Sequence, residues 1–125
     1  MKISCAKPYL TAYDFMRYLC SALALKDKNR IPLDIIVERI YDYRIKNEKY
    51  SFIFSDIEFR KGLNDVVSND IMESIGELQT FGIVGKENPK YVNMIIFLTK
   101  ESAEAIMKTC PDEILPIIDS IASTF

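Results

Sequence analysis

The side chains that could do chemistry are few, and their spacing argues against catalysis. The 125-residue chain contains no histidine. That absence removes the imidazole base of Ser/His/Asp and Cys/His nucleophiles and the commonest nitrogen ligand of zinc. Three cysteines, Cys5, Cys20 and Cys110, lie 15 and 90 positions apart. They form no C-x-x-C pair, and an odd number cannot pair completely within one chain. Cys20 falls inside the apolar run from Tyr18 to Leu25, the setting of a small buried hydrophobe rather than a nucleophile. All three read as reduced thiols, which points to a reducing, cytoplasmic location. Carboxylates pair at Glu73/Glu77 (i, i+4) and Glu101/Glu104 (i, i+3), spacings that can align two acids for a divalent metal or for acid/base work. Solvated helix surface accounts for both pairs. The glycines are Gly62, Gly76, Gly82 and Gly85, and no glycine-rich phosphate cradle occurs among them. A non-catalytic protein without metal or cofactor is expected.

What these residues sit on follows from composition and periodicity. A chain that is 49% apolar and 27% charged can bury a core without disulfides or metal, and its length suits one domain spanning residues 1–125. No repeat, low-complexity stretch or Gly/Ser linker divides it. The first fifteen residues lack a sustained apolar region and a cleavage site, so no secretory signal is expected. The longest uncharged runs, Tyr18 to Leu25 and Ile114 to Ile118, are too short to span a membrane.

Thr11 and Asp14 have capping-box spacing for a helix reaching about Leu25, whose broad apolar face (Phe15, Met16, Tyr18, Leu19, Cys20, Ala22, Leu23) suggests cover on more than one side. After a polar loop from Lys26 to Arg30, Pro32 suits the first position of a second helix to about Ile45, buried through Leu33, Ile36, Val37, Ile40 and Tyr41. Tyr50 to Phe54 suits either a strand or a short packed helix. A small hairpin around Lys61 and Gly62 fits residues 57–67. A helix then runs to about Phe81, capped by Asp70 with Ser68 as the competing cap, and buried through Ile71, Met72, Ile75 and Leu78. Gly82 ends it. Ile83 and Val84 begin a hairpin whose tip is Gly85 to Lys90 and whose second strand is Tyr91 to Leu98. Thr99 caps a helix through Met107. Pro111 and Pro116 then leave a late-starting last helix rich in isoleucine. The fold class is α+β, mostly helical, with a small antiparallel hairpin.

The run IGELQTFGIVGKENPKYVNMIIFLTKESAEAIM, Ile75 to Met107, resembles the second half of a winged-helix domain. Leu78, Gly82, Ile83, Val84, Tyr91, Phe97, Leu98 and Thr99 carry the likeness, which extends over residues 69–108, about a third of the chain. It is a pattern of fold shared by many unrelated families and points to none in particular. It implies a wing at residues 83–98 and, were the protein to bind DNA as a dimer, a reading helix at residues 68–81.

Charge argues against that use of the helix. Residues 1–61 hold 12 basic and 8 acidic side chains, whereas residues 62–125 hold 4 basic and 10 acidic. The exposed face expected for the 68–81 helix is Asn69, Glu73, Ser74, Glu77 and Thr80, and no Lys or Arg lies between Gly62 and Gly85. Phosphate neutralisation dominates affinity for duplex DNA, so two carboxylates without a cation are a physical objection. Lys86 and Lys90 in the wing tip are candidate phosphate contacts. Arg39, Arg44, Lys46, Lys49, Arg60 and Lys61 make the middle of the chain basic, but Glu38, Asp42, Glu48, Asp56 and Glu58 are interleaved with them. The expected function is a small protein-interaction module, an adaptor or inhibitor able to self-associate, with a winged-helix DNA-binding dimer as the alternative. Ile114, Ile117, Ile118, Ile121 and Phe125 are the candidate dimer seam.

Overall fold

The computed structural model describes residues 9–87 and 92–125. Thr11 starts the first helix as its spacing predicts. Its hydroxyl accepts from the Asp14 N–H at 3.0 Å, and α1 runs Ala12–Leu25. The reciprocal half of a capping box is missing, because the Asp14 carboxylate turns to Arg17 at 3.2 Å. The broad apolar face is buried as expected: Phe15, Met16, Leu19 and Cys20 are wholly buried. Around α1 pack α3 (Asn69–Thr80), α4 (Lys100–Met107) and α5 (Leu115–Ala122).

The polar loop after α1 holds an unforeseen strand, β1 (Arg30–Pro32). It pairs antiparallel with β5 (Asn93–Ile96), which pairs in turn with β4 (Val84–Lys86), giving the order β1-β5-β4. Ile31 faces Met94 and Val84 faces Ile96, so one side of the sheet is apolar and buried. Pro32 therefore ends a strand and caps α2 (Leu33–Lys46) instead of opening it, while the Leu33 N–H donates to the Val92 carbonyl at 2.8 Å. Gly85 and Lys86 likewise lie in β4 and not in a turn. Phe97 explains the glycine: a Cβ at position 85 would stand 2.7 Å from its ring, so only a bare backbone lets the ring lie across the strand.

Between α2 and α3 the undecided segment is a 3-10 helix, Glu48–Phe54, with Ile53 and Phe54 buried and the Phe54 ring edge-on to Phe15 at 5.4 Å. The small hairpin follows as β2 (Arg60–Lys61) and β3 (Val66–Val67). Ser68 wins the capping of α3, accepting from the Ile71 N–H at 3.3 Å, while Asp70 accepts from the Glu58 N–H at 2.7 Å and ties the hairpin's approach to the helix. At its far end, Gly82 at φ +77° lets Ile83 N–H reach the Leu78 carbonyl and Gly82 N–H the Gln79 carbonyl, a Schellman stop. Thr99 caps α4 through the Ser102 N–H at 3.1 Å, and Pro116 sits in the first turn of α5.

The result is a small α+β fold of helices and a small antiparallel sheet, compatible with a winged-helix-like arrangement. No helix among the described residues is long and apolar enough to cross a membrane. Because α1 is enclosed by three helices, truncation at its centre has nowhere to relax. Leu19→Ala is expected to cost about 2–5 kcal/mol, read as a lower midpoint in urea with an unchanged slope.

Candidate functional site

Helix α3 presents Asn69, Glu73, Glu77 and Thr80 outward, all exposed. Ser74 is a correction: it is 2% exposed. It lies three residues after Ile71 and four before Leu78, which at 3.6 residues per turn places it on the buried face with them. The outward stripe gains Gly76 instead, at i+7 from Asn69 and i+3 from Glu73. A Cβ added there would meet nothing within 4 Å, so the packing of this chain does not require the glycine. A glycine inside a helix is unfavourable relative to alanine. Beyond the stripe, Phe81 is 68% exposed and touches Tyr13 edge-on at 6.1 Å. The surface is thus two carboxylates, two short polar groups and a bare backbone, ending in an aromatic ring.

The expected phosphate contacts fare differently. Lys86 is half-buried in β4, and Lys90 lies outside the described residues. Next to Lys86, Glu87 is held by the Arg30 guanidinium and by Asn93 Nδ2 at 3.2 Å, so a carboxylate stands at the base of the hairpin.

The residues of the candidate dimer seam are drawn into the chain's own core. Ile114, Ile118 and Ile121 are wholly buried and Ile117 nearly so, all within the chain's own core, with Phe125 packed partly against it. Covering the far side of α1 consumes these side chains, and a second copy could reach them only by opening the domain.

The basic middle of the chain is largely engaged with the chain itself. Arg44 lies over Phe59 at 5.7 Å, Lys61 over Tyr41 at 5.7 Å and Lys49 over Tyr50 at 5.0 Å, while Arg39 donates to the Thr124 carbonyl. These cations rest on aromatic faces, with Tyr41 and Phe59 edge-on to each other at 5.4 Å.

A groove that the sequence did not reveal runs between α2 and the β2–β3 hairpin, with a volume of ≈ 430 Å³. Leu33, Val37, Val66, Val67 and Met72 supply its apolar lining, and Asp34, Glu38, Asn64 and Asp65 its polar one. Asp34 and Glu38 were visible as the solvent side of a helix. Their juxtaposition with Asp65 depends on the hairpin folding back on α2, and no local pattern encodes that.

Among the described residues, no three His, Cys, Asp or Glu side chains gather closely enough to hold a metal ion. Glu101 and Glu104 are exposed on α4. Cys20 and Cys110 are free thiols and both are buried, whereas Cys5 lies outside the described residues. Burial pushes the Cys20 thiol up from 9.0 to about 12. Burial also raises Cys110, opposed by the nearby Arg17 guanidinium and assisted by the Asp112 carboxylate. No protein-family model, curated protein or solved structure matches the chain.

A raised thiol pKa has a fixed sign in stability. Above pH 9 the unfolded chain loses the Cys20 proton while the folded one keeps it, so the stabilisation present below pH 9 is lost as pH rises toward 12. Urea titrations between pH 9 and 11 should show stability falling by about 1.4 kcal/mol per pH unit from this thiol. Cys20→Ala should remove that share of the slope.

Proposed function

We propose that the protein is a winged-helix-like, non-catalytic interaction module, an adaptor or inhibitor that presents the outward face of α3 to another protein. One observation carries this function: the stripe Asn69, Glu73, Gly76, Glu77, Thr80 has two carboxylates, no cation, and a glycine for which the chain's own packing gives no reason. Bare backbone lets a partner approach closely, and the flanking carboxylates favour cationic groups across an interface. The succession α1-β1-α2, then, after the 3-10 helix and the β2–β3 hairpin, α3-β4-β5, with the three-stranded sheet ordered β1-β5-β4, supports the winged-helix-like part.

The alternative is a winged-helix regulator that grips duplex DNA as a dimer. Topology favours it, through an outward-facing α3 beside a wing. The exposed residues of α3 would bring carboxylates to phosphates, and the isoleucines of the tail are spent in the chain's own core. A salt titration against random duplex separates the two. The module should show no binding even at low ionic strength, whereas affinity falling steeply with salt would establish the alternative.

Capture from the native host tests the surface itself. Glu73→Lys/Glu77→Lys should weaken recovery of the partner by about tenfold or more, since like charges across an interface are costly. Gly76→Ala should raise stability by about 0.5–1 kcal/mol while lowering recovery. Equal recovery by all three proteins would remove α3 as the binding face.

A further inference from the structure

We propose that the groove between α2 and the β2–β3 hairpin is the docking site for a cationic, amphipathic segment of a protein partner. An apolar side chain of that segment lies on the groove floor, and its Lys or Arg side chains meet the rim. The floor is Leu33, Val37, Val66 and Met72, buried or half-buried, and the exposed Val67 extends it. On the rim stand the carboxylates of Asp34, Glu38 and Asp65, all exposed. Within the described residues none of the three accepts a side-chain hydrogen bond or joins an ion pair, so their charge is unspent. Among the described residues no Lys or Arg lines the groove.

Lys61 is paired with Val66 across the hairpin. Its ammonium lies over the Tyr41 ring, the next turn of α2 beyond Val37 and Glu38. Three free carboxylates around an apolar floor thus complement a chain that alternates cation and hydrophobe. Long cationic side chains suit such a site twice over, laying methylenes on apolar surface while the head reaches the acid. The volume of ≈ 430 Å³ falls within the range of roughly 300–1,000 Å³ typical of ligand clefts. Phosphate-bearing ligands are repelled by the same charges.

Met72 connects the groove to the α3 stripe, because Asn69 precedes it by three positions and Glu73 follows it directly. The docking site therefore rests on the interaction-module function and specifies the partner's chemistry: basic and apolar residues interleaved. The fully exposed Leu63 at the hairpin tip adds apolar surface on the same hairpin.

The test uses the full chain, labelled with nitrogen-15, titrated with a short synthetic peptide of alternating leucine and lysine or arginine, and with the same peptide carrying glutamate at every cationic position. Amide shifts should appear at residues 33–38, 64–68 and 72 with the cationic peptide and be absent with the acidic one. Asp34→Asn and Glu38→Gln should each weaken the interaction by about three- to fivefold, with well-dispersed spectra showing that the variants fold. Added salt should weaken it further. Shifts confined to other residues, equal response to the acidic peptide, no response to the cationic peptide, or unchanged affinity in both variants would each overturn the site. The two proposals fail separately. Native partner capture that survives Asp34→Asn/Glu38→Gln but not Glu73→Lys/Glu77→Lys leaves the module standing and discards the groove. Loss of peptide binding at the groove in the first pair, with capture unaffected by the second, does the reverse.

Discussion

The structure depends on the enclosure of α1. No residue of that helix is fully exposed, and Phe15, Met16, Leu19, Cys20 and Ser21 are wholly buried. A helix buried over most of its circumference must satisfy its own polar groups. Ser21 donates to the Arg17 carbonyl at 2.8 Å, Tyr18 to the Thr109 carbonyl at 3.3 Å, and Arg17 pairs with Asp14 while lying over the Tyr18 ring at 5.0 Å. The Arg17 Nε remains buried without a partner, a local cost carried by the surrounding packing. Enclosure also determines what the rest of the chain must do. One helix, α3, cannot cover α1 on all sides, so the chain continues past the sheet into α4 and α5, and their isoleucines and alanines close the remaining sides.

That demand explains why the tail misleads when read as a sequence. Ile114, Ile117, Ile118 and Ile121 have the spacing of an apolar stripe, and a stripe at the end of a chain suggests a seam for a second copy. Periodicity reports that a face is buried but not against what. The breadth of the α1 face was the clue to the answer. A helix apolar over most of its circumference needs several neighbours, and the isoleucine tail supplies one of them.

Local signals were otherwise legible and non-local ones were not. Thr11, Thr99 and Gly82 act within one helical turn, so their roles follow from neighbours a few positions away. The caps of α3 show the limit: Ser68 and Asp70 are equally suited by local chemistry, and Asp70 is diverted by Glu58, twelve positions back. Strand β1 was hidden for the same reason. Three residues carry no periodicity, and its partner β5 lies more than sixty positions away. Ser74 on α3 shows polarity and angle in conflict: its hydroxyl suits solvent, while its position between Ile71 and Leu78 dictates the core.

Arg44, Lys49 and Lys61 keep their charge while lying over their own aromatic rings, and Lys46 and Arg60 are exposed as well, so the acidic face is a matter of where the unpaired carboxylates stand. They are not scattered. Asp34, Glu38 and Asp65 ring the groove, Glu73 and Glu77 continue along α3, and Met72 lies between the two sets. Opposite charges elsewhere in the chain are held in place by cation–π contacts and by the bond from Arg39 to the chain end, so they do not neutralise this face by folding over it. A net charge of −2 thus understates the local field. A partner approaching α3 or the groove meets a negative surface, and electrostatic selection of this kind acts on encounter before any contact forms. In the function proposed above, such a surface would favour a basic protein segment over a phosphate backbone.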